Sequence, residues 1–306
     1  MPASTAFIAT QCAVTQFVIG ALKELALIET TRHEPTPSTR HKRRDSNSIT
    51  MGTPQETDAF RASFERTYKY AMESPPLSST VVFAYRLNAV ALVGMIWYAC
   101  EVVEGVSKGP PAAWTRWLSL AAVGGAVAVI ALTYAVSYYY GHLPGFTDDD
   151  YRLSAAWDRP PATELATIGL ALSLDLLPLL ELARPAPARL ARVIVACFTV
   201  HGIVTVAATP MSKMRGEHAL STLAFLFMLA AYQALVVAVV PKTLSSKPLR
   251  GAYEGLTYAS FGAIFLVFYA FSFWVRFGEL YWLSVAELLA LVVVFAGIVV
   301  GGIGSV

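Results

Sequence analysis

From residue 81 onward the chain alternates between long apolar runs and short links that hold most of its charge. The runs are 81–100, 117–140, 164–183, 190–210, 218–241, 256–275 and 279–303. A helix rises about 1.5 Å per residue and the hydrocarbon layer is about 30 Å thick, so roughly 20 apolar residues cross it. Backbone in hydrocarbon must satisfy its own hydrogen bonds, which predicts a helix for every run. The fold class that follows is all-α, a polytopic membrane helical bundle. Residues 7–28 are apolar too, but Gln11, Thr15, Gln16, Lys23 and Glu24 dilute them. That stretch reads as a weak extra span, a surface helix or part of a targeting segment, and it lacks the basic start of a signal peptide. Residues 29–58 are rich in Pro, Ser, Thr and charge, a composition that cannot bury enough surface to fold alone. The chain therefore divides into a disordered, low-complexity tail over 1–78 and a bundle over 79–306.

Composition agrees with the pattern. Hydrophobic residues make up 56% and charged residues 14%, with a mean hydropathy of +0.54; soluble domains are about 25% charged. The net charge of +2 is too small to mark a nucleic-acid partner. Cys12, Cys100 and Cys197 lie too far apart for a disulfide framework or a metal motif. The run 279–303 has no lysine for a retinal Schiff base. His142, His201 and His218 occupy separate elements, which argues against a clustered zinc site. Neither a Gly-x-Ser-x-Gly elbow nor a phosphate loop is present, so no catalytic motif is recognisable and no metal or cofactor is expected.

The links orient the bundle. Lys108 and Arg116, then Arg184, Arg189 and Arg192, then Lys242, Lys247 and Arg250 fall on one side in a seven-span reading. The opposite links hold Arg152, Arg159, Lys213 and Arg215 together with Asp148, Asp149, Asp150 and Asp158. Excess Lys and Arg marks the cytosolic side, so the C-terminus is expected there and the 141–163 loop on the lumenal or extracellular side. The tail, with Lys42, Arg43 and Arg44, then lies outside, against the same rule, unless 81–100 does not span.

Ionisable residues at membrane depth are costly and usually mark function. Asp175 sits mid-run, three residues before Pro178, which should kink its helix. His201, Gln233 and Glu287 are the other candidates, with His201 a partner for Asp175 or Glu287. Glu181 and His218 lie near run ends and are expected to reach the interface. The competing reading is a structural hydrogen-bonded cluster. Gly297 and Gly301 make a small-residue step that serves either a dimer seam or packing within the chain.

The loop before the third run reads Tyr151, Ser154, Ala155, then Pro160, Pro161 and Glu164, followed by Ile168-Gly169-Leu170. Two further segments follow in order: Glu217-His218-Ala219-Leu220-Ser221, and Tyr281-Trp282-Leu283-Ser284-Val285-Ala286-Glu287. Together they resemble the superfamily of damage-regulated autophagy modulators, the fibroblast-growth-factor-receptor-activating protein and the post-GPI-attachment lipid-remodelling membrane proteins. Trp157-Asp158-Arg159 stands where that superfamily has a short Gly-containing segment. The resemblance implies six core spans over about 117–303, with one or two additional N-terminal hydrophobic segments. It also implies lipid handling at the endoplasmic reticulum, Golgi, lysosomal or plasma membrane. Membrane lipids would be the partners, with GPI-anchored proteins or other membrane proteins beside them. On this reading Tyr151, Ser154, Asp158, Arg159, Glu164 and His218, with Glu287, face a lipid head group. Arg159 would meet a phosphate and the carboxylates an amine. The alternatives are a proton-coupled carrier using Asp175, His201 and Glu287, and a seven-span receptor.

Overall fold

The computed structural model describes residues 78–143, 152–211, 214–277 and 281–304. The tail, the 7–28 stretch and Tyr151 lie outside these residues. The described residues form α1 (Ser79–Val103), α2 (Thr115–Tyr139), α3 (Leu153–Ala156), α4 (Ala162–Leu174), α5 (Leu176–Ala183), α6 (Arg189–Ala208), α7 (Arg215–Val239), α8 (Lys247–Phe277) and α9 (Tyr281–Gly304), with two short 3-10 turns and no strand. Seven segments among them are long and apolar enough to cross a membrane, with α4 and α5 together making one. The chain is a multi-pass helical membrane protein.

Local sequence explains where the helices start and stop. Ser78 caps α1, its hydroxyl accepting from Val81 N at 3.3 Å. Both α1 and α2 end on a glycine in the left-handed region, Gly105 at φ 77° and Gly141 at φ 65°. In each case the amide after the glycine donates to a carbonyl five residues back, Val106 to Glu101 at 2.8 Å and His142 to Ser137 at 2.8 Å. This paired closure satisfies carbonyls that a helix end otherwise leaves bare. The third span breaks at Asp175. Pro178 has no N–H for the Leu174 carbonyl, and its ring would clash there, so the helix re-starts as α5.

The helices close a ring in the order α2, α4–α5, α6, α7, α8, α9 and back to α2, while α1 lies outside against α4 and α6. The short α3 sits across one end of the ring, touching α2 and α9. In lipid there is no hydrophobic drive between helices, so close backbone approach has to supply the attraction. It does so at glycines. A Cβ on Gly302 would stand 2.0 Å from Ser119 Oγ, where α9 crosses α2, and one on Gly169 would stand 2.5 Å from Val129 Cγ2, where α4 meets α2. Gly301 likewise abuts Tyr253 and Arg184, so this part of the small-residue step faces neighbours within the chain. The outer faces are apolar and bare, as with Phe83, Val90 and Trp97 on α1.

These contacts make a contrast that can be measured. Gly302→Val should lower the thermal midpoint in detergent by several degrees, because the added methyls meet Ser119. Gly124→Val, one position from Gly125 but with nothing within 4 Å, should leave the midpoint within error.

Candidate functional site

Three groups of polar side chains are gathered inside the bundle. The first is a charged knot at the end opposite α3. Glu181 Oε1 accepts from Arg184 Nη1 at 2.5 Å and from the Tyr232 hydroxyl at 2.7 Å, and Oε2 accepts from Arg192 Nε at 2.9 Å. Arg192 also donates through Nη2 to the Glu181 and Arg184 carbonyls and through Nη1 to the Pro187 carbonyl. Glu181 and Arg192 are fully buried and Arg184 is 1% exposed. The expectation that Glu181 reaches the interface is therefore corrected: two arginines from the following link turn inward and hold it. Buried charge survives only when paired in this way.

The second group joins α1 to the ring. Asn88 Nδ2 donates to Asp175 Oδ1 at 2.8 Å, and Asn88 Oδ1 lies 3.3 Å from His201 Nδ1. The other ring nitrogen of His201 is 3.2 Å from the Tyr85 hydroxyl. Asp175 and His201 thus meet through Asn88, a residue of the first run that sequence reasoning did not single out.

The third group lines a cleft inside the ring. Its deep part, about 110 Å³, is walled by apolar side chains including Leu170, Leu174, Val200, Leu226 and Val294. A second cavity of about 150 Å³ continues from it between α7 and α8, along Leu223, Val267, Phe268 and Phe271. Those two helices touch sparsely compared with α8 on α9 or α6 on α7. Ser154, His218, Thr222 and Glu287 line both parts, with Arg152 on the outer rim. The result is an oily interior under a polar mouth.

The mouth is built by the loop that carries α3. Glu287 Oε2 accepts from Leu153 N at 3.0 Å. Ser137 Oγ donates to the Ala156 carbonyl at 2.6 Å, Trp157 Nε1 donates to Thr133 Oγ1 at 3.1 Å, and Thr163 Oγ1 donates to the Trp157 carbonyl at 2.6 Å. Trp157 itself is 2% exposed and plugs the loop into the ring. Arg152 Nη1 lies 3.4 Å from Met211 Sδ. His218 is within electrostatic reach of Asp158 and Arg152.

Of the candidates read from sequence, Ser154, His218 and Glu287 come together at this mouth, with Asp158 near them. Arg159 lies by His142 rather than in the cleft lining, Glu164 sits in the first turn of α4 outside it, and Gln233 is buried on α7 away from it. Asp175 and His201 occupy the α1 seam. Arg152 and Thr222 were missed; Arg152 had been counted only as a link charge. Among the described residues no three of His, Cys, Asp and Glu gather as for a metal ion. The site thus belongs to a helical membrane protein with an amphipathic internal cleft. Comparison with protein-family models, curated proteins and solved structures finds no match.

Two outcomes follow. Glu181→Ala strands two buried guanidiniums and should cost about 3–5 kcal/mol, against about 1–3 kcal/mol for Asn88→Ala, read from unfolding in mixed micelles. At the loop, burial and then the nearby Arg159 guanidinium hold His142 below the usual imidazole range, with Asp158 opposing. Its folded form binds a proton less readily than its unfolded form, so its share of stability is present above about pH 6.5 and is lost as pH falls. His142→Gln should shrink the fall in thermal midpoint between about pH 7.5 and about pH 5.5.

Proposed function

We propose that this protein handles membrane lipid, taking the glycerol region and first chain carbons into the cleft with the head group at its mouth. The observation that carries this is the two-part lining: hydrocarbon walls below, Ser154, His218, Glu287 and Arg152 above. A water-soluble substrate has no use for the deep part, and a purely apolar one has no use for the mouth. An apolar cavity of about 150 Å³ accepts a benzene-sized group, so the rest of each chain would stay in the bilayer, reached between α7 and α8. The resemblance in the loop extends the proposal to endomembrane lipid handling, including the lipid of GPI anchors, with the loop on the lumenal side.

The carrier reading needs Asp175, His201 and Glu287 to act along one path. Asp175 and His201 sit in the α1 seam and Glu287 at the mouth, so it is not adopted.

A photoactivatable, alkyne-tagged phospholipid in nanodiscs should cross-link to α7, α8 and α9. Leu226→Trp, which fills the cleft, should reduce labelling about tenfold, a loss of about 1.4 kcal/mol in binding. Phe227→Trp, on the exposed face of the same helix, should not change it. Equal labelling of both variants would remove the cleft from the account. In cells, loss of surface GPI-anchored proteins on His218→Ala would support the anchor branch of the proposal; normal anchors after deletion of the gene would end that branch.

A further inference from the structure

We propose that Ser154 and His218 are a nucleophile and its general base, acting on the acyl ester of a lipid seated in the cleft. This rests on the lipid reading above and assigns it a reaction. Both residues line both parts of the cleft, and both are 8% exposed. His218 Nδ1 lies 2.6 Å from the Thr209 carbonyl. A carbonyl can only accept, so the proton of the neutral ring is on Nδ1 and the Nε2 lone pair is available. Among the described residues Ser154 Oγ has no hydrogen-bond partner and is not sealed from the cleft, while the His218 ring has a second backbone hydrogen bond, to Val206. Several ring hydroxyls bond to carbonyls, among them Ser119, Thr133, Ser137, Thr167, Thr199, Thr222 and Thr257. Ser154 bonds to none and faces the cleft where an ester would lie.

The surroundings suit the chemistry. Ser154 rides on α3, which is held by Glu287 at Leu153 N and by Ser137 at the Ala156 carbonyl. A base oriented by a third group, here the Thr209 carbonyl, and a nucleophile facing the same cavity are the parts that acyl transfer needs. The two side chains do not bond to each other in this structure; such bonds tighten once substrate is in place.

In the reaction, Ser154 Oγ attacks the ester carbonyl carbon and its proton passes to His218 Nε2. The tetrahedral adduct collapses, the bond to the glycerol oxygen breaks, and that oxygen takes the proton from His218 and leaves as a hydroxyl. The acyl group remains on Ser154. Water or the hydroxyl of a second lipid then attacks it, giving its proton to His218. The second adduct collapses, the bond from the acyl carbon to Ser154 Oγ breaks, Oγ takes the proton back from His218, and the fatty acid or the transferred ester departs.

The test is a long-chain alkyl fluorophosphonate on the full chain in nanodiscs, with the photoactivatable lipid run in parallel. The expected result is one adduct, mapped by mass spectrometry to Ser154, absent in Ser154→Ala and formed about a hundredfold more slowly in His218→Ala. Ser154→Ala should keep its thermal midpoint. If the cleft cross-links lipid but no adduct forms at Ser154, or if labelling survives in Ser154→Ala, the reaction is overturned and the lipid reading stands. If neither probe reaches the cleft, both fail.

Discussion

A polar side chain inside hydrocarbon has no water to turn to, so it must be satisfied by the protein or by whatever the protein binds. That constraint organises this molecule. Glu181, two arginines and Tyr232 close on one another. Asn88 bridges Asp175 and His201 where α1 joins the ring. Each set is paired within the chain and holds elements together, with Arg184 Nε alone in the first left without a partner. The mouth of the cleft differs. Ser154 and His218 both line a space that runs into an apolar cavity.

Placement of the mouth follows from the topology. Residues 152–163 pack onto the ring through Trp157, and Glu287 meets them from the start of α9. The starts of α7 and α9 and the returning loop therefore converge at one end. The second part of the cleft lies between α7 and α8, whose mutual contact is sparse. The charged knot lies at the other end of the ring, away from this opening.

Much of the architecture was legible in the sequence because a membrane span writes itself as an unbroken apolar run. All seven appear, and the break at Asp175 follows from Pro178. Rotation of each helix about its axis was not legible. An apolar run has no polar stripe to show which side faces inward, so Asn88 looked like a passenger in the first run. Glu181 looked like an interfacial residue, because its two arginine partners come from a link whose charges are normally read as solvated. Ser154, His218 and Glu287 stood out because each is polar beside an apolar run, and the structure brings these three to one mouth. Arg152 was hidden among loop charges. Gly105 and Gly141, which end α1 and α2, gave a readable stop signal just past each run.

The central claim is that the internal cleft is a seat for lipid, open between α7 and α8. An electron cryo-microscopy map of the protein in phospholipid nanodiscs addresses it most directly. The account predicts an elongated density between α7 and α8, its polar end against Ser154 and His218 and its tail along Leu226 and Val267. A map in which α7 closes onto α8 and side chains alone fill the ring would contradict it.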